Sequence, residues 1–312
     1  MIEYRTFRNT DPPAVAELWR TQSGRPGWMQ PMSVALFDRH VLSRAIFDRQ
    51  GLIVATDAGR LVGLVHAVLE PAPPQHAQRI GTIALLLARP DASEVLAELL
   101  ARAENYLRER GATAIQVGSL SGQARLYFGL YGGAEPTGLL DADTFAREAL
   151  SASGYRESGR SIVFRRELAT FRPIVDRRQL QVRRANTVEM FVEPPPADWM
   201  DAMTFEPFAR TRYRLMPRAG GAPQATVDLW NMDTMLGVLG AHAVGIVDLI
   251  VLSEHQRKGL AQFLLGEALR QAHTEGAALA EAHVDQANAP AVALFRGLGF
   301  DEIDHAIAYR KD

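Results

Sequence analysis

Between Ile246 and Gln271 the chain reads IVDLIVLSEHQRKGLAQFLLGEALRQ, an order of residues that few folds accommodate. Residues 246–252 are branched and apolar apart from Asp248, the pattern of a buried strand. A polar segment, 253–258, follows. A helix then opens at Gly259, with Leu260, Phe263, Leu264 and Leu269 on one face. A strand that turns directly into a helix leaves backbone N–H groups without acceptors at the helix start. Those groups and the helix dipole together favour an anion. Gly259 has no side chain, so a ligand oxygen can approach the backbone, and Arg257 and Lys258 bring positive charge to the same turn.

Composition narrows the classes of function. A chain of 312 residues with 47% apolar content is long enough for two domains with packed cores. A formal charge of −2 offers no electrostatic attraction to nucleic acid or an anionic membrane. The absence of cysteine excludes disulfides, thiol catalysis and a Cys-type zinc site, and no His/Asp/Glu spacing resembles a metal site. The N-terminus, MIEYRTFRNTDPP, has no apolar h-region, and no apolar run approaches membrane-spanning length. A soluble, cytoplasmic protein is the expectation.

Gln256-Arg257-Lys258-Gly259-Leu260-Ala261 resembles the Q/R-x-x-G-x-G/A loop of the GNAT (GCN5-related N-acetyltransferase) superfamily. The segment from Asn288 through Ala291, Leu294 and Phe295 to Gly299-Phe300 is similar to that family's later N-x-x-A-x-x-L-Y-x-x-x-G-F motif. The resemblance implies a site for acetyl-CoA, or another acyl-CoA, with the pyrophosphate cradled by the amides of Arg257 to Ala261. It implies that Ile250, Val251 and Leu252 pair with pantetheine as though it were another strand. The Leu252 backbone N–H would then act as a one-donor oxyanion hole. Asn288 matches the family's asparagine beside the pantetheine arm, and by its own position it is also an N-cap for a helix with Pro290 just inside its start. Phe295 stands where family members often carry a tyrosine that protonates the departing thiolate; phenylalanine has no proton to give.

Two carboxylates are candidates for the general base. Asp248 lies inside an apolar strand, where burial would raise its pKa; its more ordinary reading is a strand residue facing a polar neighbour or an arginine across the domain interface. Glu281 shares a strand face with His283, a pair that also fits an edge or surface position. Trp199 and Trp230 read as core.

The chain in order suggests that the fold occurs twice. Residues 2–8 read as a strand, Asp11-Pro12-Pro13 as a helix start, 34–48 as a helix, and 52–56, 61–69 and 80–87 as strands. Residues 71–74 form a proline-rich loop, 93–110 a helix and 114–117 a strand. Leu99-Leu100 to Gly111-Ala112 aligns without a gap with Leu264-Leu265 to Gly276-Ala277. On that register Asp91 falls on Gln256, Ser93 on Lys258 and Glu94 on Gly259. Carboxylates in a first helical turn satisfy the dipole themselves, by roughly 0.3–1 kcal/mol each, and repel phosphate. The expected fold is therefore α/β (α+β): two tandem GNAT-like domains, each a mixed, mostly antiparallel twisted sheet flanked by helices. The first, degenerate domain covers 1–168, a linker 169–178, and the domain with the acetyl-CoA loop 179–312. An insertion at 119–140, with Tyr127, Phe128 and Tyr131, either walls a pocket or covers its own domain's core or the domain interface. The second domain is expected to open with a strand at 180–184 and a helix at 198–208. Its acceptor side is thinly covered, and the first domain is expected to supply the missing wall.

The reading this supports is an acyl-CoA-dependent N-acyltransferase acting on a small amine, similar in layout to two-domain acetyltransferases of the mycothiol-synthase type. A non-catalytic acyl-CoA-binding or sensing protein is the alternative, and a partner-binding protein that kept only the fold is a third. Acceptor, acyl chain and oligomeric state are not encoded legibly.

Overall fold

The computed structural model describes residues 1–69, 79–118 and 126–312. By its internal contacts the chain divides into two units. One comprises Met1–Gly132, Pro136–Ser161 and His305–Asp312; the other comprises Gly133–Glu135 and Ile162–Asp304. The proline-rich loop at 71–74 and the first part of the insertion, 119–125, lie outside the described residues.

In the first unit the order is β1 (Ile2–Thr6), α1 (Pro12–Arg20), α2 (Val34–Phe37), β2 (Leu52–Asp57), β3 (Arg60–Leu69), β4 (Ile80–Ala88), α3 (Val95–Glu109), β5 (Ala114–Val117), β6 (Leu139–Leu140), α4 (Thr144–Ala152) and the start of β7 (Arg156–Glu167). β1 to β5 are neighbours in sequence order, antiparallel except for the parallel pair β4–β5. The β2–β3 hairpin turns through Ala58 and Gly59, both at positive φ (46° and 80°), the backbone a two-residue hairpin requires. α3 covers the sheet with Leu96, Leu99, Leu100, Ala103 and Leu107, a helical stripe that is buried throughout. The single helix expected over 34–48 does not form. After α2 the backbone widens into a π turn, Asp38–Leu42, where the Ser43 N–H donates to the Asp38 carbonyl, and the helix stops there.

The second unit contains α5 (Arg177–Ala185), β8 (Asn186–Val192), α6 (Trp199–Phe205), β9 (Arg210–Pro217), β10 (Ala225–Asn231), α7 (Leu236–Leu239), β11 (Ala243–Val251), α8 (Leu260–Thr274), β12 (Leu279–Asp285), α9 (Ala289–Gly297) and the start of β13 (Asp301–Lys311). β8 to β12 are again sequential neighbours, with β11–β12 the parallel pair. α8 packs Leu260, Leu264, Leu265, Ala268 and Leu269 onto Val227, Leu229 and Ile246; Phe263, expected on that face, is only partly buried. Burying a leucine completely is worth about 1.5–3 kcal/mol, so this stripe holds α8 against the sheet. The strand expected at 180–184 is instead part of α5. Asp176 caps that helix by accepting from the Gln179 N–H at 2.7 Å, and Gln179 and Val182 share its buried face.

β7 and β13 each cross the division. Residues 162–167 belong to the second unit, where the Leu168 N–H donates to the Ala278 carbonyl at the foot of β12. Residues 305–312 belong to the first, where Tyr309, Arg310 and Lys311 pair with Val117, Gln116 and Ile115 of β5. The sequence-based boundaries at 168 and 179 and this contact-based division differ at both strands.

Candidate functional site

β11 is buried over its first five residues and then emerges. Asp248 is exposed, Ile250 is 54% exposed and Leu252 39%. Its pairing with β12 covers only Ala243–Ile246 against Leu279–Ala282, so an uncovered apolar strand end continues past its parallel neighbour. On the other side the β10–β11 register shifts. Asp228 faces Val247 and Thr226 faces Ile250, which leaves Asp248 and Leu249 opposite the single residue Val227. This is a β-bulge, and Asp248 takes positive φ (53°) to make it.

The bulge corrects one expectation. Asp248 is not a buried carboxylate. It stands at the surface of the strand, on the side of Arg212, whose guanidinium feels its charge. Arg212 is itself bound bidentately by Asp228 (2.7 and 2.8 Å), and Arg210 joins Asp228 (3.5 Å) to Asp201 (2.6 and 2.9 Å). The hydrogen bonds that Arg212 donates to Asp228 are the main cause that raises the Arg212 pKa, with Asp201 and Asp248 adding charge. Burial acts to raise Asp201, but Arg210 outweighs it and the carboxyl is held below the usual range.

A second correction concerns the amide. The Leu252 N–H donates to the Gln224 carbonyl at 3.1 Å and is not available to a ligand. That bond makes Ala225–Val251 a non-hydrogen-bonded pair, so the N–H and C=O of Val251 point away from β10 into the opening beside β12. The Gln256 side chain confirms the direction, because its Nε2 donates to the Val251 carbonyl at 3.2 Å.

Beyond Leu252 a short 3₁₀ turn, Ser253–His255, leads into Gln256 in extended backbone, Arg257 at φ 61° and Gly259 at φ 80°. Gly259 opens α8, and the first helical bond is the Phe263 N–H to the Gly259 carbonyl (3.1 Å). Among the described residues, the amides of Arg257 to Gln262 have no backbone acceptor. α5, α6 and α9 are capped by Asp176, Asp198 and Asn288; α8 has no side-chain cap. The Lys258 ammonium donates to the Glu254 carbonyl at 2.8 Å and braces the loop. Leu260 is buried, so it and Ala261 offer only backbone to the turn.

α5 reaches this loop, which no motif in the sequence signalled. The Arg178 guanidinium donates to the Arg257 carbonyl, and Gln179 Nε2 to the Gly259 carbonyl (3.4 Å) and Gln262 Oε1 (2.9 Å). A Cβ on Gly259 would lie 3.1 Å from Arg178 Cδ and 3.1 Å from Gln179 Nε2, so any other residue would press on both side chains as well as having to hold left-handed φ. The basic run Arg177-Arg178 was the available signal, hidden because it fell in the expected linker, 169–178.

Three further site candidates take definite places. Asn288 accepts from the Ala291 N–H (3.2 Å) and is the N-cap of α9. Phe295 does not face the opening. It is buried in the core, stacked on Phe164 and edge-on to Phe300 with centroids 5.6 and 5.1 Å away. Glu281 is 1% exposed, not an edge residue. Arg165 donates to Oε2 (3.0 and 2.7 Å), the Ala134 N–H donates to Oε1 (2.8 Å), and His283 Nε2 lies 3.7 Å away. Burial acts to raise its pKa, but His283 and Arg165 outweigh that and hold it below the usual carboxylate range. Such a group is a poor proton acceptor. The Trp230 indole N–H donates to the Ala134 carbonyl (3.2 Å), so the segment Gly133–Glu135 is pinned from β10 and β12 at once. Trp230 lies over Gly245, where a Cβ would stand 2.2 Å from its Nε1. Trp230 is core as expected, whereas Trp199 is 53% exposed.

The first unit treats the corresponding places differently. β4 has its own bulge, with His66 facing Leu85 and Ala67 facing Ile83, which leaves Ala84 extra. The space beside it is lined by Trp28, Thr82, Leu85, Tyr127, Tyr131 and Leu139. Trp28, Tyr127 and Tyr131 are each no more than 5% exposed, and Tyr127 is held by a 2.9 Å hydrogen bond to buried His66. The described part of the insertion thus covers its own unit's core. At α3 the Val95 and Leu96 amides donate to the Ala92 and Ser93 carbonyls (3.3 and 3.1 Å), and Glu94 has ordinary helical backbone (φ −59°).

Residues 184–300 match the family model described as Acetyltransferase (GNAT) family. Solved structures with a similar fold include a tandem GNAT protein from the clavulanic acid biosynthesis pathway, at 16% identity and TM-score 0.69, covering 100% of this chain and 98% of that one. A GCN5-related N-acetyltransferase from Sphaerobacter thermophilus is 15% identical with TM-score 0.65, covering 99% and 95%. A GCN5-related glucosamine N-acetyltransferase region in a fungal multi-domain β-N-acetylglucosaminidase is 15% identical with TM-score 0.72; this chain is covered completely but spans 38% of that one. At these identities the likeness speaks for the fold. No curated protein matches the chain. No helix among the described residues is long and apolar enough to cross a membrane.

Proposed function

We propose that this chain, whose residues 184–300 match the GNAT family model and whose fold is that of a tandem GNAT protein, is itself a GNAT protein whose second unit binds acetyl-CoA, or another acyl-CoA, and transfers the acyl group to a small amine. One observation carries the reading: α8 opens without a cap, beside a strand end that has outrun its neighbour. Bare amides from Arg257 to Gln262 suit a diphosphate, and the exposed Ile250 and Leu252 suit an extended, largely apolar arm. When bound, the cofactor supplies a thioester-activated acyl group. The Val251 N–H is the donor aimed to polarise a carbonyl in the opening. Asp248, exposed on the bulge, takes a proton from the incoming ammonium. Asn288 contributes its helix cap and a contact to the arm. Glu281 acts through structure by holding Gly133–Glu135 against the sheet as a wall of the acceptor side. Among its described residues the first unit offers no comparable site, since its helix start is closed and Trp28, Tyr127 and Tyr131 lie buried along its cleft.

Titration of the whole chain with acetyl-CoA by calorimetry is expected to give one site, and thiol release from acetyl-CoA over a panel of amines is expected to find an acceptor. Asp248→Asn should then lower thiol release about 100-fold at neutral pH while leaving acetyl-CoA affinity unchanged. Equal thiol release by the variant removes Asp248 from the role of base. A sensing protein is the second reading, favoured by Phe295 in the core and by Tyr213, the second unit's one tyrosine, being 3% exposed. Binding without thiol release from any amine decides for it.

A further inference from the structure

The groove between α5 and α8 has no part in the reading above, yet it adjoins the loop. It is lined by Ile174, Val175, Leu180 and Phe263 on its apolar side, with Gln262 and Arg183 beside them. Val175 is 77% exposed, Leu180 45% and Ile174 36%, an apolar strip left in water. It borders the most basic helix of the unit: α5 reads RRQLQVRRA, with arginines at 177, 178, 183 and 184 and no acid among its nine residues. The Arg183 side chain is 65% exposed. Its nearest carboxylate, Glu267 at 3.8 Å, is already engaged by Arg270 at 3.0 Å. At the other end of the same helix, Arg178 and Gln179 touch the carbonyls of Arg257 and Gly259. A ligand leaving the loop along α5 therefore meets an apolar trough and then a largely exposed guanidinium, held only by a long 3.8 Å contact to Glu267.

We propose that this groove is the seat of the cofactor's adenosine 3′-phosphate end, with the base against Ile174, Val175, Leu180 and Phe263 and the 3′-phosphate on Arg183. The inference rests on the second unit binding an acyl-CoA. Flat aromatic bases gain from apolar walls in water. A guanidinium meets phosphate oxygens in a fork that an ammonium cannot reproduce. One wall of the seat, residues 173–183, lies ahead of the region that matches the family model, and the other, Gln262, Phe263 and Glu267 of α8, lies within it.

Calorimetric titration of the full chain with coenzyme A and with 3′-dephospho-coenzyme A tests it. The wild type should prefer coenzyme A by about 10-fold, the effect of one charge-assisted contact. Arg183→Ala should lose that preference by weakening coenzyme A alone, and Arg183→Lys should keep part of it. Leu180→Asp should weaken both ligands about equally. Both positions are exposed, and unchanged melting temperatures show that the variants fold. Coenzyme A binding without preference in the wild type, or a preference that survives Arg183→Ala, overturns the seat and leaves the acyl-CoA reading standing. No binding of either ligand by the wild type overturns both.

Discussion

The turns from β4 into α3 and from β11 into α8 occupy the same place in their two units, and each follows a bulged strand. They end in opposite chemical states. Before α3 the chain tightens, Val95 and Leu96 return their amides to Ala92 and Ser93, and Glu94 sits in helical backbone. Before α8, Arg257 and Gly259 swing to positive φ and the amides that follow stay bare. The clefts differ in the same sense: Trp28, Tyr127 and Tyr131 fill one, while Ile250 and Leu252 stand exposed in the other. The two units thus share the strand defect and differ in the helix start that follows it. The bulge is fixed by ladder register, whereas the site depends on which groups are left unsatisfied.

The comparison can be broken from either side. Trp28→Ala empties the first cleft; it should cost about 3–5 kcal/mol of stability, read by denaturant melts, and still leave one acetyl-CoA site per chain. A second site would show that side chains alone keep the cofactor out. Gly259→Glu copies Glu94 into the open turn. Left-handed backbone costs a non-glycine residue about 1–2 kcal/mol, and a carboxylate then faces the phosphates, so acetyl-CoA affinity should fall at least about 100-fold, roughly 3 kcal/mol. Retained affinity would show that the amides do not hold the cofactor.

Glu281→Gln copies Gln116, which holds the equivalent position in β5 on the aligned register and donates to Thr82 (3.2 Å). It should cost about 2 kcal/mol, the worth of hydrogen bonds to a charged group. The folded pKa of Glu281 is lowered, so its contribution is complete above the unfolded value near 4.3 and is lost as pH falls through the folded value. The gap between wild type and variant should therefore be full at pH 7 and close below about pH 4; a gap constant with pH would mean packing, not charge. Smallest is Tyr127→Phe, which removes the bond to His66 and should cost about 1 kcal/mol in thermal melts. No loss at all would mean that His66 finds another donor or acceptor in the filled cleft.

Much of this was readable beforehand. β5 was expected at its observed ends, and the α8 stripe of Leu260, Leu264 and Leu269 was visible because helical periodicity is local. α5 was misread because Leu180-Gln181-Val182 alternates like a strand; the Asp176 cap three residues before Gln179 is the stronger local signal. The bulge could not be read, since ladder register is a property of two strands, and with it went the burial of Asp248 and the direction of the Leu252 amide.

By itself the sequence determined the loop, because a glycine that must hold positive φ before an uncapped helix is written into a few consecutive residues. It also determined that the fold recurs. Only tertiary structure decided which amide faces the opening, that Phe295 belongs to the core, that Glu281 clamps Gly133–Glu135, and that Arg178 and Gln179 come to the loop. The reason is physical: a hydrogen bond's direction and a side chain's burial are set by neighbours far along the chain, and no local pattern records them.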